Sequence, residues 1–220
     1  MSDSTFTIKP FPHIRQATID LLDAASRKHM IHGLIEVDVT KPRQRLRAIK
    51  QKTGETVERS VEGRKEVVPT IIRAANRKSV QEIHQEIRQA QYKKVAEAGV
   101  FRAIQWYLAI PFFIRRFFFR ILDRAPHQMK KNGGTVMVTS IGMFGRGAGW
   151  GIPVPSHTLN VTVGGIVTRP CLIDAQLEER EYLCLTVSFD HDIIDGAPAA
   201  RFIQRFKDLV ASGSGLFDVK

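Results

Sequence analysis

The stretch of sequence that decides the fold lies near the C-terminus and reads Ser188-Phe189-Asp190-His191-Asp192-Ile193-Ile194-Asp195-Gly196-Ala197-Pro198. Before it, residues 181–189 alternate between apolar and polar side chains, which is the period of a β-strand. After it, apolar residues recur at helical spacing, with Pro198 suited to the first helical position and Gly213 ending the run. The stretch is therefore predicted to be the turn that joins a strand to a helix.

His191 lies where this strand ends, and Asp190, Asp192 and Asp195 lie within four residues of it. A neutral imidazole can accept a proton near pH 7, and a neighbouring carboxylate can fix the orientation of the ring. The turn is therefore a candidate site for a general base. A solvated acidic turn is the alternative, which a His-x-x-x-Asp-Gly pattern by itself does not exclude.

Composition limits the class of protein. A chain of 220 residues can bury one substantial core, so a single mixed domain over residues 1–220 is expected. The 33 basic and 22 acidic residues give a formal net charge of +11, which favours anionic partners. Two cysteines without metal-ligand spacing, and a start without a signal-peptide pattern, predict reduced thiols, no metal and a cytoplasmic location.

Other segments also predict regular structure. Helices are expected over residues 14–25, 40–54 and 80–90, the last opened by a capping-box pattern at Ser79 and Glu82. Strands are expected over residues 34–39, 67–72 and 159–167, and residues 133–145 restart the strand pattern and end in a glycine-rich turn. Pro69 is expected to place its strand near a sheet edge.

Together these segments resemble the 2-oxo acid dehydrogenase acyltransferases (dihydrolipoamide acyltransferases), which belong to the chloramphenicol acetyltransferase-like superfamily. The segments that match the family motifs, in the family's order, are Arg15, Glu36-Val37-Asp38-Val39-Thr40, 69–79, 133–145, Arg169-Pro170 and the His191 motif. The resemblance implies an α+β fold in which a two-layer mixed sheet packs with helices. Asp192 departs from the family, which has arginine or a small residue at that position.

The resemblance also implies an activity, that of a coenzyme A-dependent acyltransferase. His191 would be the general base that deprotonates coenzyme A or a dihydrolipoyl-like thiol, and acyl-coenzyme A would be the acyl-thioester substrate. Thr139 would donate a hydrogen bond to the oxyanion, with Ser140 beside it, and Asp195 would pair with Arg15 to hold the turn. The active site would lie between subunits of a homotrimer, and such trimers can form a higher assembly.

Two regions depart from the family. The connection at residues 52–61 is shorter than the family's, so the sheet is expected to be abbreviated there. Residues 99–131 form an insert, aromatic and basic up to residue 122, whose longest uncharged run, 103–114, falls short of the ~20 residues that span a bilayer. This insert is predicted to form a helical hairpin at a subunit interface, and a membrane-surface element through residues 100–121 is the alternative.

Two classes of function follow from these patterns. No lipoyl or subunit-binding domain is recognised, so a freestanding acyltransferase is expected, favoured by His191, Asp195, Arg15 and Thr139. The alternative is a non-catalytic oligomeric scaffold or membrane-surface binding module, which would place the protein at the membrane periphery. Nucleic-acid binding is not expected, because the basic residues are dispersed and no reader motif is present.

Overall fold

The computed structural model of the chain describes residues 19, 22, 28–53, 70–92, 109–111, 114, 133–142 and 145–216. In this part of the chain the strands are β1 (Met30–Asp38), β2 (Val136–Ser140), β3 (Leu159–Ile173) and β4 (Gln176–Asp190). The α-helices are α1 (Thr40–Thr53), α2 (Val80–Tyr92) and α3 (Gly196–Ser212), and a short 3-10 helix covers Ala75–Arg77.

The four strands form one mixed sheet in the order β1-β4-β3-β2. Strand β4 is antiparallel to both β1 and β3, whereas β2 runs parallel to β3. The register places Met30 of β1 opposite Asp190, so the start of β1 lies beside the end of β4. The mixed sheet with helices that the sequence predicted is therefore confirmed.

Helices α1 and α3 pack on the same side of the sheet and form its second layer. The alternation of β4 places Leu185, Val187 and Phe189 on that side, where Val187 is fully buried and packs near Ile203 of α3. Burying a side chain of valine or leucine size contributes about 1.5–3 kcal/mol. Helix α3 is capped at its C-terminus by Gly213, whose φ of 66° is the left-handed conformation that glycine adopts without strain.

Gly33 in β1 marks where α3 crosses the sheet. A Cβ atom at this position would lie 2.3 Å from the Cδ1 atom of Ile203. A side chain at residue 33 would therefore require the end of the Ile203 side chain to move.

Strands β3 and β4 are longer than the alternation predicted. Asp174 and Ala175, with φ of 48° and 62°, join them in a two-residue turn, and the register continues from Thr168 opposite Glu181 to Ile173 opposite Gln176. Strand β1 reaches only Tyr182 and β2 only Val163, so among the described strands this part of the hairpin projects as a two-stranded arm. The alternation in the sequence predicted the parts of β3 and β4 that lie near β2 and β1, but not the arm.

The strand predicted over residues 67–72 is wrong for its described part, Thr70–Ile72, which is irregular. Ala74 has a left-handed φ of 52° and turns the chain into the 3-10 helix, so an extended strand does not continue. The capping box before α2 is confirmed, because the Ser79 N–H and hydroxyl donate to Glu82 Oε2 over 2.7 and 2.8 Å.

Several predicted segments lie outside the described residues. These are most of the first helix, the connection beyond residue 53, and the aromatic and basic insert except residues 109–111 and 114. Among the helices that the structure describes, none is long and apolar enough to cross a membrane. Cys171 and Cys184 are both free, as predicted.

Candidate active site

His191 occupies the first position after β4, on the exposed turn that precedes α3. Its main-chain N–H donates to the carbonyl of His29 over 2.7 Å, which ties the turn to the residue before β1. The N–H groups of Ile193 and Ile194 both donate to the carbonyl of Asp190, over 3.1 and 2.9 Å. The imidazole is therefore presented to solvent from a turn that is anchored at both sides.

Asp190 holds the base of this turn. Its side chain is buried, with the residue 6% exposed, and its Oδ1 accepts a hydrogen bond from the Asp192 N–H over 3.2 Å. The Asp190 N–H donates to the carbonyl of Thr158 over 3.0 Å, so the end of β4 is also fixed to the residue before β3.

Asp195 is the N-cap residue of α3, with φ of −73° and ψ of 163°. Its carboxylate makes no hydrogen bond to the N–H groups at the start of the helix, although an aspartate at this position usually does. Arg15, the predicted partner of Asp195, lies outside the described residues. The ion pair between Arg15 and Asp195 stays a prediction.

Thr139 and Ser140 lie next to each other in β2 and face opposite sides of the sheet. Thr139 is opposite Thr162 of β3, and Thr162 is opposite Thr186 of β4, so the three threonines form one row on the face away from α3. Ser140 pairs with Val163, which packs on the helix side. The two hydroxyls that the sequence grouped in one site are thus separated by the sheet.

The register also separates Thr139 from His191 within one chain. Thr139 is two strands away from Thr186, and His191 follows Thr186 by five residues along β4. With ordinary strand spacing and rise, the two residues lie roughly 15–20 Å apart. A single copy of the described chain does not bring the candidate base and the candidate hydroxyl together.

His157 has partners that sequence spacing did not reveal. Its Nε2–H donates to the carbonyl of Gly133 over 2.9 Å, and its Nδ1 lies 2.8 Å from the hydroxyl of Ser156. The Asn160 side-chain N–H donates to the His157 carbonyl over 2.9 Å. This cluster joins the start of β3 to the residues before β2, so His157 has a structural role.

Close backbone contacts explain several glycines around β2 and β3. A Cβ atom would lie 2.0 Å from the Gly164 carbonyl if added at Gly142, and 2.0 Å from the Gly147 carbonyl if added at Gly165. The Gly165 N–H donates to the carbonyl of Gly149 over 2.9 Å. The loop after β2 therefore lies directly on β3, which a side chain at these positions would prevent.

The same loop carries Trp150, which is 39% exposed. Its indole N–H donates to the carbonyl of Ile35 over 3.2 Å. The indole needs a hydrogen-bond acceptor when it packs, and the edge strand β1 supplies one.

A polar junction fixes the other end of β1. Asp38 Oδ1 accepts hydrogen bonds from the Thr40 N–H over 2.9 Å and from the Thr40 hydroxyl over 2.6 Å. Burial acts to raise the pKa of Asp38, but the hydrogen bonds from Thr40 and the charges of Arg180 and Lys41 hold that pKa below its ordinary value. Thr40 Oγ1 in turn accepts from the Glu181 N–H over 2.9 Å, so the junction joins β1, α1 and β4.

Within residues 28–53, 70–92, 133–142 and 145–216, no group of three or more His, Cys, Asp or Glu side chains is placed to hold a metal ion.

The fold is similar to that of dihydrolipoamide acyltransferase catalytic cores. The structure of a probable dihydrolipoamide acetyltransferase from Listeria monocytogenes matches with a TM-score of 0.64 and 21% identity, over 96% of this chain and 97% of that chain. A dihydrolipoamide acetyltransferase from Azotobacter vinelandii, studied for the role of one serine, one histidine and one asparagine in its mechanism, matches with a TM-score of 0.60 and 16% identity, over 96% and 94%.

Sequence comparison is more specific for the C-terminal part. Residues 120–217 match the family of the 2-oxoacid dehydrogenases acyltransferase catalytic domain, which confirms the resemblance inferred from the motifs. The lipoamide acyltransferase component of the branched-chain alpha-keto acid dehydrogenase complex of Pseudomonas putida is 35% identical over 86 residues, which are 39% of this chain. The match spans 20% of that relative's length.

Proposed function

We propose that this chain is the catalytic domain of an acyltransferase that moves an acyl group between coenzyme A and a thiol of the dihydrolipoyl type. The observation that carries the proposal is the position of His191, exposed on the anchored turn between β4 and α3. This turn lies within the residues that match the acyltransferase family. An exposed imidazole in that position is accessible to a thiol and can take its proton.

Spacing along the chain supports the roles of the other residues. In the Azotobacter vinelandii enzyme the serine precedes the histidine by 52 positions, and the asparagine follows it by four. In this chain Thr139 precedes His191 by 52 positions, and Asp195 follows it by four. Threonine keeps the hydroxyl of the serine, whereas aspartate replaces the asparagine amide with a carboxylate.

The reaction proceeds by addition and elimination at a thioester. The His191 imidazole takes the proton of the acceptor thiol, and the thiolate attacks the thioester carbonyl carbon. The Thr139 hydroxyl donates a hydrogen bond to the oxyanion that forms. The bond between carbon and the coenzyme A sulfur then breaks, and the departing thiolate takes the proton back from His191.

The two groups contribute to the rate by different means. A positioned general base is worth ~10²–10⁴ in rate, and a hydrogen-bond donor to the oxyanion is worth ~10²–10³.

Because Thr139 and His191 lie far apart in one chain, the proposal requires that two copies of the chain form each active site, as in a homotrimer. Activity would then depend on assembly.

Acyl transfer from acetyl-coenzyme A and from longer acyl-coenzyme A donors to dihydrolipoamide tests the proposal. His191→Ala is expected to lower the rate by ~10²–10⁴, because the general base is lost. His84→Ala, which removes a histidine from α2, is the matched control and is expected to keep the parent rate. If the parent protein and His191→Ala give the same background rate, the non-catalytic scaffold is the correct interpretation.

A further inference from the structure

We propose that His29 and Asp192 form a clamp that holds the turn carrying His191 against β1, so that both are positioning residues for the base. The inference rests on the proposed function, because that function gives His191 its role. Asp192 stands at a position where the family that this sequence resembles has arginine or a small residue. The structure gives this departure a partner on the opposite side of the turn.

The clamp consists of two contacts that involve the same pair of segments. The ring Nδ1 of His29 lies 3.0 Å from Oδ1 and 3.2 Å from Oδ2 of Asp192. The carbonyl of His29 also accepts the main-chain N–H of His191 over 2.7 Å. His29, the residue before β1, therefore contacts His191 through its backbone carbonyl and Asp192 through its side chain.

The chemistry of the side chains fixes the direction of the hydrogen bond. An ionised carboxylate only accepts, so the Nδ1–H of His29 donates to Asp192. Among the neighbouring charged groups, the Lys28 Nζ donates to the Ser156 carbonyl over 3.2 Å, and the Asp190 Oδ1 accepts from the Asp192 N–H. Asp192 thus donates its N–H to Asp190 in its own turn, and its carboxylate accepts from His29, the residue before β1.

The remaining hydrogen bonds of the turn do not replace this connection. The Ile193 and Ile194 N–H groups bond to Asp190 and close the turn on itself. Among the described hydrogen bonds of His191 and Asp192, only those to His29 connect the two residues to the start of β1. The pair is exposed, with side chains 80% and 61% accessible, so its loss is expected to shift the equilibrium between the held and released turn by at most about fivefold.

Hydrogen exchange of the His191 amide measures the clamp without any assay of activity. In His29→Ala and in Asp192→Ala, the protection of this amide is expected to fall about two- to fivefold, because the turn is released more often. The Asp190 amide, which bonds to Thr158, is expected to keep its protection and serves as the internal reference.

Steady-state kinetics measure whether the clamp positions the base. Both variants are expected to lower kcat about two- to fivefold while KM for acyl-coenzyme A stays within about twofold, since no substrate contact is removed. The double substitution His29→Asp with Asp192→His restores the pair in reverse and is expected to recover most of the loss. His32→Gln is the matched control, because His32 is a β1 histidine whose Nδ1 contacts Ser188 over 2.8 Å rather than the turn.

The results separate this inference from the proposed function. Unchanged His191 protection in both single variants would overturn the clamp, whatever the activity. Reduced protection of the His191 amide with an unchanged kcat would overturn the positioning role. So would a double variant whose loss of kcat equals the product of the losses in the two single variants. A parent protein with no acyl transfer above background would overturn the proposed function, and the positioning role with it, while the exchange data would still decide whether the clamp exists.

Discussion

Thr139 lies in a row with Thr162 and Thr186, and the three differ in exposure. Thr139 is half-buried, whereas Thr162 and Thr186 are 2% and 0% exposed. In the part of the chain that the structure describes, the hydroxyls of Thr162 and Thr186 have no hydrogen-bond partner. The row therefore has one partly exposed threonine and two that lie inside the fold.

Substitution of Thr139 tests its role at the scale of one hydroxyl. Thr139→Val keeps the shape of the side chain and is expected to lower kcat by ~10²–10³, because the donor to the oxyanion is lost. Thr139→Ser keeps the hydroxyl and is expected to stay within about tenfold of the parent rate. The measurement is steady-state acyl transfer with acetyl-coenzyme A and dihydrolipoamide.

Two variants control for damage to the sheet. Thr162→Val removes a buried hydroxyl from the adjacent strand and is expected to leave stability nearly unchanged or slightly higher, with activity retained. Ser140→Ala acts on the opposite face and is expected to affect the rate far less than Thr139→Val. Equal rates for Thr139→Val and Thr139→Ser would remove Thr139 from the mechanism.

At the scale of elements, the junction of Asp38 and Thr40 connects β1, α1 and β4. Asp38 caps the start of α1 through the Thr40 N–H, and Thr40 bonds onward to the backbone of Glu181. Glu181 also accepts hydrogen bonds from Arg43 and Arg47 of α1, over 3.2 and 2.7 Å. The segment Glu36-Val37-Asp38-Val39-Thr40, which carried part of the family resemblance, therefore docks a helix on the sheet.

The pKa of Asp38 predicts how this junction responds to acid. Its carboxyl has a lowered pKa in the folded protein, so its contribution to stability is present above the ordinary pKa and is lost as the pH falls through the folded value. Asp38→Ala is expected to lower the free energy of unfolding by about 1 kcal/mol at pH 7, with the difference from the parent shrinking below about pH 4. Urea denaturation at several pH values measures both.

Asp38→Asn separates the charge from the hydrogen bonds. Asparagine still accepts from the Thr40 N–H, so it is expected to recover part of the loss without the pH dependence of the parent. A stability difference between parent and Asp38→Ala that stays constant from pH 7 to about pH 3 would contradict the assignment.

The sequence predicted much of the fold because periodicity reports burial. The alternation in β4, the helical spacing in α3 and the stop at Gly213 are local patterns, and all three are confirmed. The two-stranded arm was not predicted, because its exposed pair Leu172 and Leu177 has no core against which to alternate. The strand expected at residues 67–72 failed in its described part, because an apolar run does not report the left-handed turn at Ala74.

The candidate site was predictable in part for the same reason. The position of His191 follows from a local change of period between strand and helix. The contact between His29 and Asp192 joins residues 163 positions apart, so no local pattern reports it. Strand alternation places Thr139 and Ser140 on opposite faces of the sheet, but the resemblance to a family motif assigned both to one site.

At the scale of the whole molecule, the register of the sheet decides how an active site can be built. His191 lies at the end of β4, whereas Thr139 lies two strands away and five residues further along the sheet. A base and a hydroxyl that act in one thioester transfer must both lie around the same carbonyl group, the base at the attacking thiol and the hydroxyl at the carbonyl oxygen. For His191 and Thr139 in these proposed roles, the described fold meets that condition only when the two residues come from different copies of the chain.

Mixing two inactive variants tests this arrangement. In random trimers of His191→Ala and Thr139→Val chains at equal amounts, roughly a quarter of the interfaces join an intact His191 to an intact Thr139 of the neighbour. Coexpression is therefore expected to restore about a quarter of the parent kcat per chain, although each variant alone is nearly inactive. In mixtures refolded at unequal ratios, the activity should be proportional to the product of two fractions, that of chains with an intact His191 and that of chains with an intact Thr139. If both residues act from the same chain, no mixture contains an intact site, and the activity would stay at the level of the single variants.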